Sequence, residues 1–426
     1  MNMSDSLLVN STFCGSYMQN EIIPTQDGVI VDCFHNFNDL QLIKNEWDNF
    51  ISLVCGEIFF TYDWCRTWWK YYGTKRDLAI FVFRSGNEIC GILPVFREKL
   101  WIGPVSIAAI KMVGSDFMPV TITVPIKQEY IDQVIDRLIE KLKTLWKWHI
   151  LYLGAICGRY DSLDTLVHAF KSKLGKEYCC ELTESDVQTY FAVAPNWEAQ
   201  VAALASKQRT NVRRTFRETS SKGIEISSNL ASEESLSKMF DNFVEMHQKH
   251  WQEIGNAGHF GAWPYSKEFH REIAETQLDL NRLRLIEIKF NNIPVGYEYL
   301  YRLQDTYCWF LNARSDFENN KRIDYKWIAY RAKIESALND GIKTIDGMRG
   351  MYDYKLLMGG KVLPSHNLFI YSTQFPVMQR VVIFRLLAKF LDILYHKLWR
   401  RRMAPRFGIK PRTFWKKWIR SSSLSS

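Results

Sequence analysis

The sequence predicts an α+β protein in which two tandem domains, each with a mixed and mostly antiparallel sheet flanked by helices, precede a basic amphipathic tail. Three observations lead to this prediction: a globular composition, a strand hairpin that recurs later in the chain, and a C-terminal segment that holds the positive charge. The 426 residues are 47% hydrophobic and 24% charged, which suits two folded domains and excludes wholesale disorder.

The recurring hairpin is the strongest sign of a repeat. Its first copy runs over 78–96 and its second over 283–301, and Gly91 aligns with Gly296 without a gap. Ser-Gly-Asn and Asn-Asn at the two turns supply residues that tolerate a positive φ, as tight hairpin turns require. The match predicts that one structural unit occurs twice.

Each hairpin has the same predicted surroundings. An aromatic-rich helical run comes before it, at 64–72 in the first copy and at 239–251 plus 266–278 in the second. A strand region, an amphipathic helix and a buried strand come after it. In the first copy these are 106–113 with 121–124, then 130–145, then 149–153. In the second copy they are 306–313, then 325–338, then 342–346. We therefore predict domains at 28–190 and 191–374, an N-terminal extension at 1–27 and a tail at 375–426.

The tail carries thirteen Lys and Arg residues against a single Asp, a net charge of +12, so the rest of the chain has a net charge of −3. Within the tail, 381–399 predicts a helix with a narrow polar stripe and a wide apolar face. Such a helix next to basic residues is typical of a segment that lies on anionic lipid, here over 376–420. Packing on the body or on a second subunit is an alternative, and nucleic-acid binding is another.

Cysteine usage and the absence of known motifs limit the function class. The nine cysteines contain no C-x-x-C pair, no Lys or Arg precedes Lys44, and no apolar run reaches the ~20 residues of a membrane span. We therefore expect a cytoplasmic protein, peripheral on the inner face of the membrane if the tail binds lipid. No metal is expected near His247 and His250, and the hydrolase, NTPase and dehydrogenase motifs are missing.

The segment after the last predicted strand of the repeat combines several residue types that carry chemistry. Asp346 would lie at the carboxyl end of a buried strand, where open sheets bind ligands. Close behind it come a glycine that lets the backbone approach a substrate, two fixed positive charges and two phenols, namely Gly350, Arg349, Lys355, Tyr352 and Tyr354. These residues predict a catalytic or binding site, although a helix cap with a surface ion pair has the same composition.

Three local patterns carry a resemblance to a known family. They are a basic run at 209–218 before Gly223, the spaced residues His247, Trp251, Gly255, Gly258 and Phe260, and the segment 346–359. Together with the order of elements, they resemble the GCN5-related N-acetyltransferase (GNAT) fold. The doubling resembles the CelD/BcsL-like acetyltransferases of cellulose biosynthesis and the related Fem-type aminoacyl transferases. The resemblance spans about 29–371 and leaves the tail out.

The resemblance implies an acyltransferase with its catalytic site in the second domain. It would move an acyl group, most simply acetyl from acetyl-CoA or another acyl-CoA, to an amine or hydroxyl of a polysaccharide, lipid-linked or sugar-nucleotide precursor. Lys355 and Arg349 would stabilise charge, Tyr354 or Tyr352 would protonate the leaving thiolate beside Asp346, and Glu298 would act as base. The acceptor would contact Gly350, Trp251, His247, Arg213 and Arg214.

Several of these assignments have a plainer structural alternative. Glu298 can equally lie on a solvent-exposed face, His247 can be a buried hydrogen-bonding residue, and Arg213 and Arg214 can solvate a helix. The loop expected to hold the pyrophosphate of coenzyme A has no glycine, so its contacts would come from the side chains of Asn319, Asn320, Lys321 and Arg322.

Two other functions remain open. A Fem-type transferase would use aminoacyl-tRNA as its donor, and this is the one case in which the resemblance implies a nucleic acid partner. A membrane-associated scaffold would keep the fold without a donor site.

Overall fold

A continuous sheet of twelve strands runs through the part of the chain that this computed structural model describes, which comprises residues 28–54, 56–115, 120–253, 258–262, 264–315 and 323–408. The strands are β1 (Ile30–Phe34), β2 (Asp77–Ser85), β3 (Glu88–Ile102), β4 (Val105–Met112), β5 (Ile150–Ile156), β6 (Tyr178–Ala192), β7 (Ile226–Leu230), β8 (Leu283–Phe290), β9 (Ile293–Leu303), β10 (Thr306–Arg314), β11 (Thr344–Arg349) and β12 (Lys361–Ser372).

Helices cover both faces of the sheet. They are α1 (Lys44–Leu53), α2 (Tyr62–Tyr72), α3 (Ile131–Leu145), α4 (Leu163–Leu174), α5 (Trp197–Ala202), α6 (Ser206–Ser221), α7 (Glu233–Glu253), α8 (His259–Ala262), α9 (Ser266–Asp279), α10 (Tyr325–Asn339), α11 (Asp353–Leu357), α12 (Val377–Ile393) and α13 (Ala404–Arg406). Short 3-10 helices lie at Phe37–Ile43, Ile58–Phe60, Gln128–Tyr130 and Gly175–Glu177, and a π-helical stretch at Leu394–Met403 joins α12 to α13.

The strand order shows the repeat directly. The strand order is β1-β2-β3-β4-β5-β12-β6-β11-β10-β9-β8-β7. Each half therefore begins at one edge of the sheet, and its later strands lie progressively closer to the centre. Neighbouring strands are antiparallel except for β4 with β5 and β10 with β11, which occupy the same place in each half. The hairpins β2–β3 and β8–β9 turn at Gly86 (φ +58°) and at Asn291 and Asn292 (φ +47° and +65°). The predicted repeat and the predicted α+β class are confirmed.

The two halves exchange their last strands at the centre of the sheet. β6 follows α4 of the first half but lies between β12 and β11, and β12 ends the second half but lies between β5 and β6. The sequence predicts two sheets with a boundary between residues 190 and 191, whereas the structure has one sheet, and β6 runs through that point to Ala192. Each half therefore completes the sheet of the other.

The hydrophobic core has three parts. The largest spans both halves, and there the indole ring of Trp64 in α2 packs edge-on against Tyr301 (5.2 Å between ring centroids) and Phe269 (5.7 Å) of the second half. A second part lies beneath α10 on the other face of the second half. The third lies beneath α12, whose Phe384 packs with Phe369 of β12.

The tail helix belongs to the fold on one of its faces. Val381, Phe384 and Ala388 are buried, and the Arg385 guanidinium donates to both carboxylate oxygens of Glu181 at 2.6 and 3.0 Å. The opposite face remains exposed and apolar, with Ile383, Leu386, Phe390 and Ile393 between 43% and 62% exposed. Among the helices of the described residues, none is long and apolar enough to cross a bilayer.

The strand exchange makes a prediction about folding. The fragments 28–192 and 193–408 should each fail to fold alone, because each leaves a central strand position empty and exposes backbone hydrogen-bonding groups that the other fragment satisfies. Co-expressed, they should assemble into one complex with native circular dichroism and a single cooperative unfolding transition. A soluble fragment that unfolds cooperatively by itself would contradict the prediction.

Candidate active site

Each half contains a place where two parallel strands separate. β4 and β5 pair only at Ala109–Ile150 and Ile110–Leu151, and segment 120–126 then enters the gap. There Ile122 donates its N–H to the carbonyl of Ala155 (2.8 Å) and accepts from the N–H of Cys157 (2.7 Å). The first half therefore fills its gap with its own chain.

The corresponding gap in the second half begins beyond Cys308 and Asp346, the last paired residues of β10 and β11. Both strands are irregular from this point. The register of β10 against β9 shifts between Trp309 and Leu311, and that of β11 against β6 shifts beyond Asp346, where Met348 has a φ of +61°. Bulges leave backbone groups outside the ladder and concentrate at functional sites, so this end of the sheet is the candidate active site.

Polar side chains from both halves meet at this point, and we call them the interface cluster. Its members come from the residues before the 3-10 helix Ile58–Phe60, from the end of β5, from the exchanged strand β6 and from β11: Glu57, Cys157, Arg159, Gln188, Tyr190 and Asp346. Because β6 is exchanged, the cluster lies at the junction of the halves.

Asp346 is held firmly in the interface cluster. It is fully buried, and its carboxylate accepts hydrogen bonds from Gln188 Nε2 (2.6 Å) and from the backbone N–H of Met348 (2.7 Å). Gln188 Nε2 also donates to Thr121 Oγ1 (3.0 Å), while Gln188 Oε1 is buried without a partner among the described residues. The bulge in β11 thus supplies the backbone donor that orients Asp346.

Glu57 is the second acid of the interface cluster and is 7% exposed. Burial, followed by the negative charge of Asp346, raises the pKa of Glu57 to about 7, while Arg159 and a hydrogen bond from Cys157 oppose the rise. Burial also raises the pKa of Asp346, against the charge of Arg159. Neither carboxylate forms an ion pair within the described ranges of the chain, although the charge of Arg159 acts on both.

Arg159 is positioned by β5 and by Tyr190. Its backbone N–H donates to Cys157 Sγ (3.4 Å), and its guanidinium carbon lies 4.6 Å from the centroid of the Tyr190 ring. The Tyr190 hydroxyl is 3.1 Å from Cys157 Sγ. Arg159 Nε is buried and has no hydrogen-bond partner among the residues described, which leaves one more polar group of the cluster unsatisfied.

Lys355 closes the loop that follows β11. Its Nζ is surrounded by the carbonyl oxygens of the residues that link β11 to α11, namely Gly347 (2.6 Å), Met348 (3.3 Å), Arg349 (3.2 Å) and Gly350 (3.3 Å). The side chain is buried, and desolvation lowers the pKa of Lys355 to about 8, although Asp346 acts against the decrease. The contacts favour a role in shaping the backbone at Asp346.

The other residues predicted from this segment lie around the same loop. Gly350 has a φ of +99° and faces the ring of Tyr352, which is 54% exposed. The Arg349 guanidinium lies 3.5 Å from the Asp186 carboxylate. Tyr354 packs against Trp309, and burial raises its pKa. Asp346, Arg349, Gly350, Tyr352 and Lys355 are therefore neighbours, as the sequence predicts.

Glu298 lies on the opposite face of the sheet from Asp346. Its carboxylate accepts from Lys333 Nζ of α10 at 2.9 Å, and both side chains are at most 2% exposed. Lys333 also lies 3.7 Å above the ring of Trp309, within the core that α10 covers. Burial raises the pKa of Glu298, and Lys333 lowers it. The structure thus places Glu298 in a buried ion pair and does not bring it to the interface cluster.

His247 and Trp251 lie on α7 beside the second half of β10. His247 Nδ1 bonds with the carbonyl oxygen of Asn312 (2.7 Å), and the His247 and Trp251 rings are in contact (6.0 Å). His259 and His270 are 2.9 Å apart through their Nε2 atoms in the same aromatic group. Burial lowers the pKa of His247 to about 4 and that of His259 to about 3, so both rings are neutral at neutral pH.

Two further groups of residues are predicted to bind ligands: Arg213 and Arg214 the acceptor, and residues 319–322 coenzyme A. Arg213 and Arg214 are exposed on α6, which packs against α10. The next residue of α6, Thr215, accepts a hydrogen bond at its Oγ1 from the N–H of Asp324, directly before α10 (3.4 Å). The two arginines therefore lie near the start of α10 and outside the interface cluster. The predicted coenzyme A contacts Asn319, Asn320, Lys321 and Arg322 fall outside the described residues.

The sequence prediction missed Glu57, Arg159 and Gln188. For Arg159 a signal was present, because it closely follows the buried strand β5 of the first copy, and Asp346 is the last residue of the corresponding strand β11 that pairs with β10. Glu57 directly precedes the apolar run Ile58–Phe60, and this position is only a weak indication that its carboxylate is buried. The sequence around Gln188 contains no such signal, because the position of Gln188 in the site depends on the exchange of β6.

The second half matches a known family. The family model for an acetyltransferase (GNAT) domain matches residues 206–356, from the start of α6 into α11. This part of the chain is therefore similar to a GNAT-type acetyltransferase domain. The matched residues include Asp346 and the strand gap of the second half, but not Glu57, Arg159 or Gln188. The predicted resemblance to CelD/BcsL-like proteins in particular stays a prediction. No curated protein matches the chain.

Solved structures resemble the chain over most of its length. FemX is 12% identical, with a TM-score of 0.57, over 82% of this chain and 99% of FemX. L-PGS from Bacillus licheniformis is 9% identical, with a TM-score of 0.45, over 81% of this chain and 96% of that one. The C-terminal domain of a putative lysylphosphatidylglycerol synthetase from Agrobacterium fabrum is 10% identical, with a TM-score of 0.44, over 74% and 89%. At such identities the likeness to FemX shows a common fold alone.

The raised pKa of Glu57 predicts a pH-dependent stability. Between the ordinary carboxyl range and about pH 7, folded Glu57 keeps a proton that the unfolded chain has lost, so its contribution to stability is lost as the pH rises. Glu57→Gln removes this titration. Relative to the native protein, the free energy of unfolding of the variant should increase by about 3 kcal/mol between pH 5 and 8.

Urea unfolding at several pH values measures this difference. Glu287→Gln on β8, another buried acid at 6% exposure, is the matched control. Equal slopes for the two variants would contradict a buried, protonated Glu57.

Proposed function

We propose that this protein is an acyltransferase that moves an acyl group, acetyl in the simplest case, from acyl-CoA to an amine or hydroxyl of a polysaccharide, lipid-linked or sugar-nucleotide precursor. The observation that carries the proposal is the strand gap of the second half, which begins beyond the buried Asp346 and which no segment among the described residues pairs into. A thioester bound along β10 would present its carbonyl carbon beside this residue.

The difference between the halves supports a single donor site in the second half. In the first half, segment 120–126 pairs with β5 and occupies the space that a donor would need. In the second half, β10 continues past Cys308 with a bulge next to Asp346. The first half would serve to complete the acceptor side, since Glu57 and Arg159 come from it.

The phosphates of the donor would bind where α6 meets the start of α10. Arg213 and Arg214 are exposed there and have no ion-pair partner among the described residues, and helix N-termini favour phosphate groups. Both proposed donors, acyl-CoA and aminoacyl-tRNA, carry phosphates. The fold shared with 99% of the length of FemX keeps the aminoacyl-tRNA-dependent transferase as the second candidate.

The donor can be tested by following thiol release from acetyl-CoA in the presence of amino sugars and sugar nucleotides. The double variant Arg213→Glu/Arg214→Glu should raise KM for acetyl-CoA about a hundredfold or more and leave kcat within a few-fold, because it removes two charge-assisted phosphate contacts of ~1.5 kcal/mol each or more. Lys171→Glu/Lys176→Glu, on the exposed surface of the first half, is the control with the same charge change.

Two outcomes would contradict the acyl-CoA donor. One is the absence of both binding and thiol release with acetyl-CoA and with longer acyl-CoAs. The other is product formation from charged tRNA that RNase treatment abolishes, which would establish the second candidate. An equal rise of KM in the lysine control would show that the arginines act only through net charge.

We also propose that the outer face of α12 binds the enzyme to an anionic membrane surface. This face exposes Leu386, Phe390 and Ile393, and the exposed cations Lys389 and Lys397 lie along the same helical segment. Apolar side chains flanked by cations are typical of helices at the lipid interface. Bound in this way, the enzyme would lie where lipid-linked precursors are assembled.

Liposome co-sedimentation tests the membrane proposal. Leu386→Glu and Phe390→Glu should each weaken binding to phosphatidylglycerol vesicles by about tenfold or more, since each removes the burial of one large apolar side chain, ~1.5–3 kcal/mol. Leu42→Glu is the matched control, because Leu42 is 99% exposed and lies in the first half, far along the chain from α12. Unchanged binding by the α12 variants would refute the proposal, and so would an equal loss with Leu42→Glu.

A further inference from the structure

The first half contributes an acid to the site of the second half. Glu57 precedes the 3-10 helix Ile58–Phe60, whose Phe59 packs on Phe310, the bulged residue of β10 (6.0 Å between ring centroids). Glu57 also hydrogen-bonds with Cys157, which follows β5, and lies within electrostatic range of Asp346, where β10 and β11 separate. A side chain from one copy of the repeat thus reaches the candidate active site of the other.

We propose that Glu57 is the catalytic base of acyl transfer, and that Glu57, Gln188 and Asp346 together bind a primary amine as the acceptor. The proposal rests on the acyltransferase function proposed above and names both a residue and an acceptor class that the function leaves open.

The hydrogen-bonding capacity of the interface cluster matches an ammonium group. Neither Glu57 nor Asp346 forms an ion pair among the described residues, although the charge of Arg159 acts on both, and Gln188 Oε1 is buried without a partner there. A primary ammonium carries three N–H donors and one positive charge, whereas a hydroxyl carries one donor and no charge. A primary ammonium group can therefore donate to more of these acceptors than a hydroxyl can, and its positive charge is attracted by the two carboxylates.

The groups around Glu57 suit a base that works near neutral pH. They are two thiols, a phenol, a carboxylate and a guanidinium: Cys157, Cys308, Tyr190, Asp346 and Arg159. Burial and Asp346 favour the protonated acid, and Arg159 limits the effect, so Glu57 both accepts and returns a proton at moderate pH. Glu298, the base that the sequence suggests, is already neutralised by Lys333 at 2.9 Å.

The reaction balances with these groups alone. The bound ammonium gives one proton to Glu57, and the resulting amine attacks the thioester carbonyl carbon. A carbon–nitrogen bond forms, the carbon–sulfur bond breaks, and the second proton lost from nitrogen ends on the thiolate of coenzyme A. Glu57 then returns its proton to water. The products are an amide, the thiol and one proton, with no redox change.

The first test needs no knowledge of the acceptor. Native protein is treated with a water-soluble carbodiimide and glycinamide, a small primary amine, between pH 5 and 8, and the modified carboxyls are located by mass spectrometry. We expect Glu57 to be modified in the folded protein, and less so as the pH rises through 7, while Glu298 stays unmodified. An unmodified Glu57 under conditions in which exposed Glu88 reacts would overturn the proposal.

The second test uses the transfer reaction. Glu57→Gln should lower kcat by about a hundredfold or more and abolish the dependence of kcat on an ionisation near pH 7, with a smaller effect on KM for acetyl-CoA. Glu287→Gln, also buried, should keep kcat within about twofold together with the native pH profile. Retention of kcat and of the pH profile by Glu57→Gln would overturn the proposal.

The two tests separate this inference from the proposed function. If no amine or hydroxyl is acylated from acyl-CoA, the acyltransferase proposal has failed, and the labelling result still decides whether a small amine reaches Glu57. If hydroxyl acceptors react and amines do not, the function stands and the acceptor class inferred here is wrong.

Discussion

The pairing of β6 with β12 is the constraint on which the rest of the structure depends. Each of these strands closes the sheet of the half to which it does not belong in sequence, and together they join two five-strand units into one sheet. The exchange also builds the candidate active site, since β6 brings Gln188 and Tyr190 beside Asp346. Asp346 therefore has its position only when both halves are folded, so the geometry of the candidate active site depends on the folding of the whole chain.

The repeat has diverged in the place where chemistry would occur. Both halves have a short parallel strand pair that separates, but segment 120–126 pairs into the first gap through Ile122. Filling the first gap adds backbone hydrogen bonds between Ile122 and the end of β5, which stabilise the first half. The second gap keeps bulges in β10 and β11, which leave backbone groups outside the ladder. The two halves thus differ at this point of the sheet, although both contribute side chains to the interface cluster.

The sequence predicts what local patterns encode and misses what long-range pairing creates. Hairpin turns, strand alternation and helix amphipathicity depend on neighbours in the chain, and the repeat from β2 to β11 follows them closely. The exchange of β6 and β12 has no local signature, because either order of central strands satisfies the same hydrophobic pattern. The site shows the same division: Asp346 and Lys355 lie in a motif, whereas Gln188 and Glu57 join them only through tertiary structure. Glu298 looks catalytic in sequence because its partner Lys333 is 35 residues away.

Lys355 shows how a conspicuous residue can act through the backbone. A fixed positive charge next to two phenols suggests stabilisation of an oxyanion, yet the Nζ of Lys355 lies among the carbonyls of residues 347–350. Those carbonyls follow the bulge, where Met348 adopts a left-handed φ and turns its N–H toward Asp346. The hydrogen bonds from the Lys355 ammonium to several carbonyls offset two costs, that of the left-handed backbone conformation and that of burying the charge. The geometry favours Lys355 as the residue that keeps Asp346 aimed at the interface cluster, which leaves proton transfer to the acids.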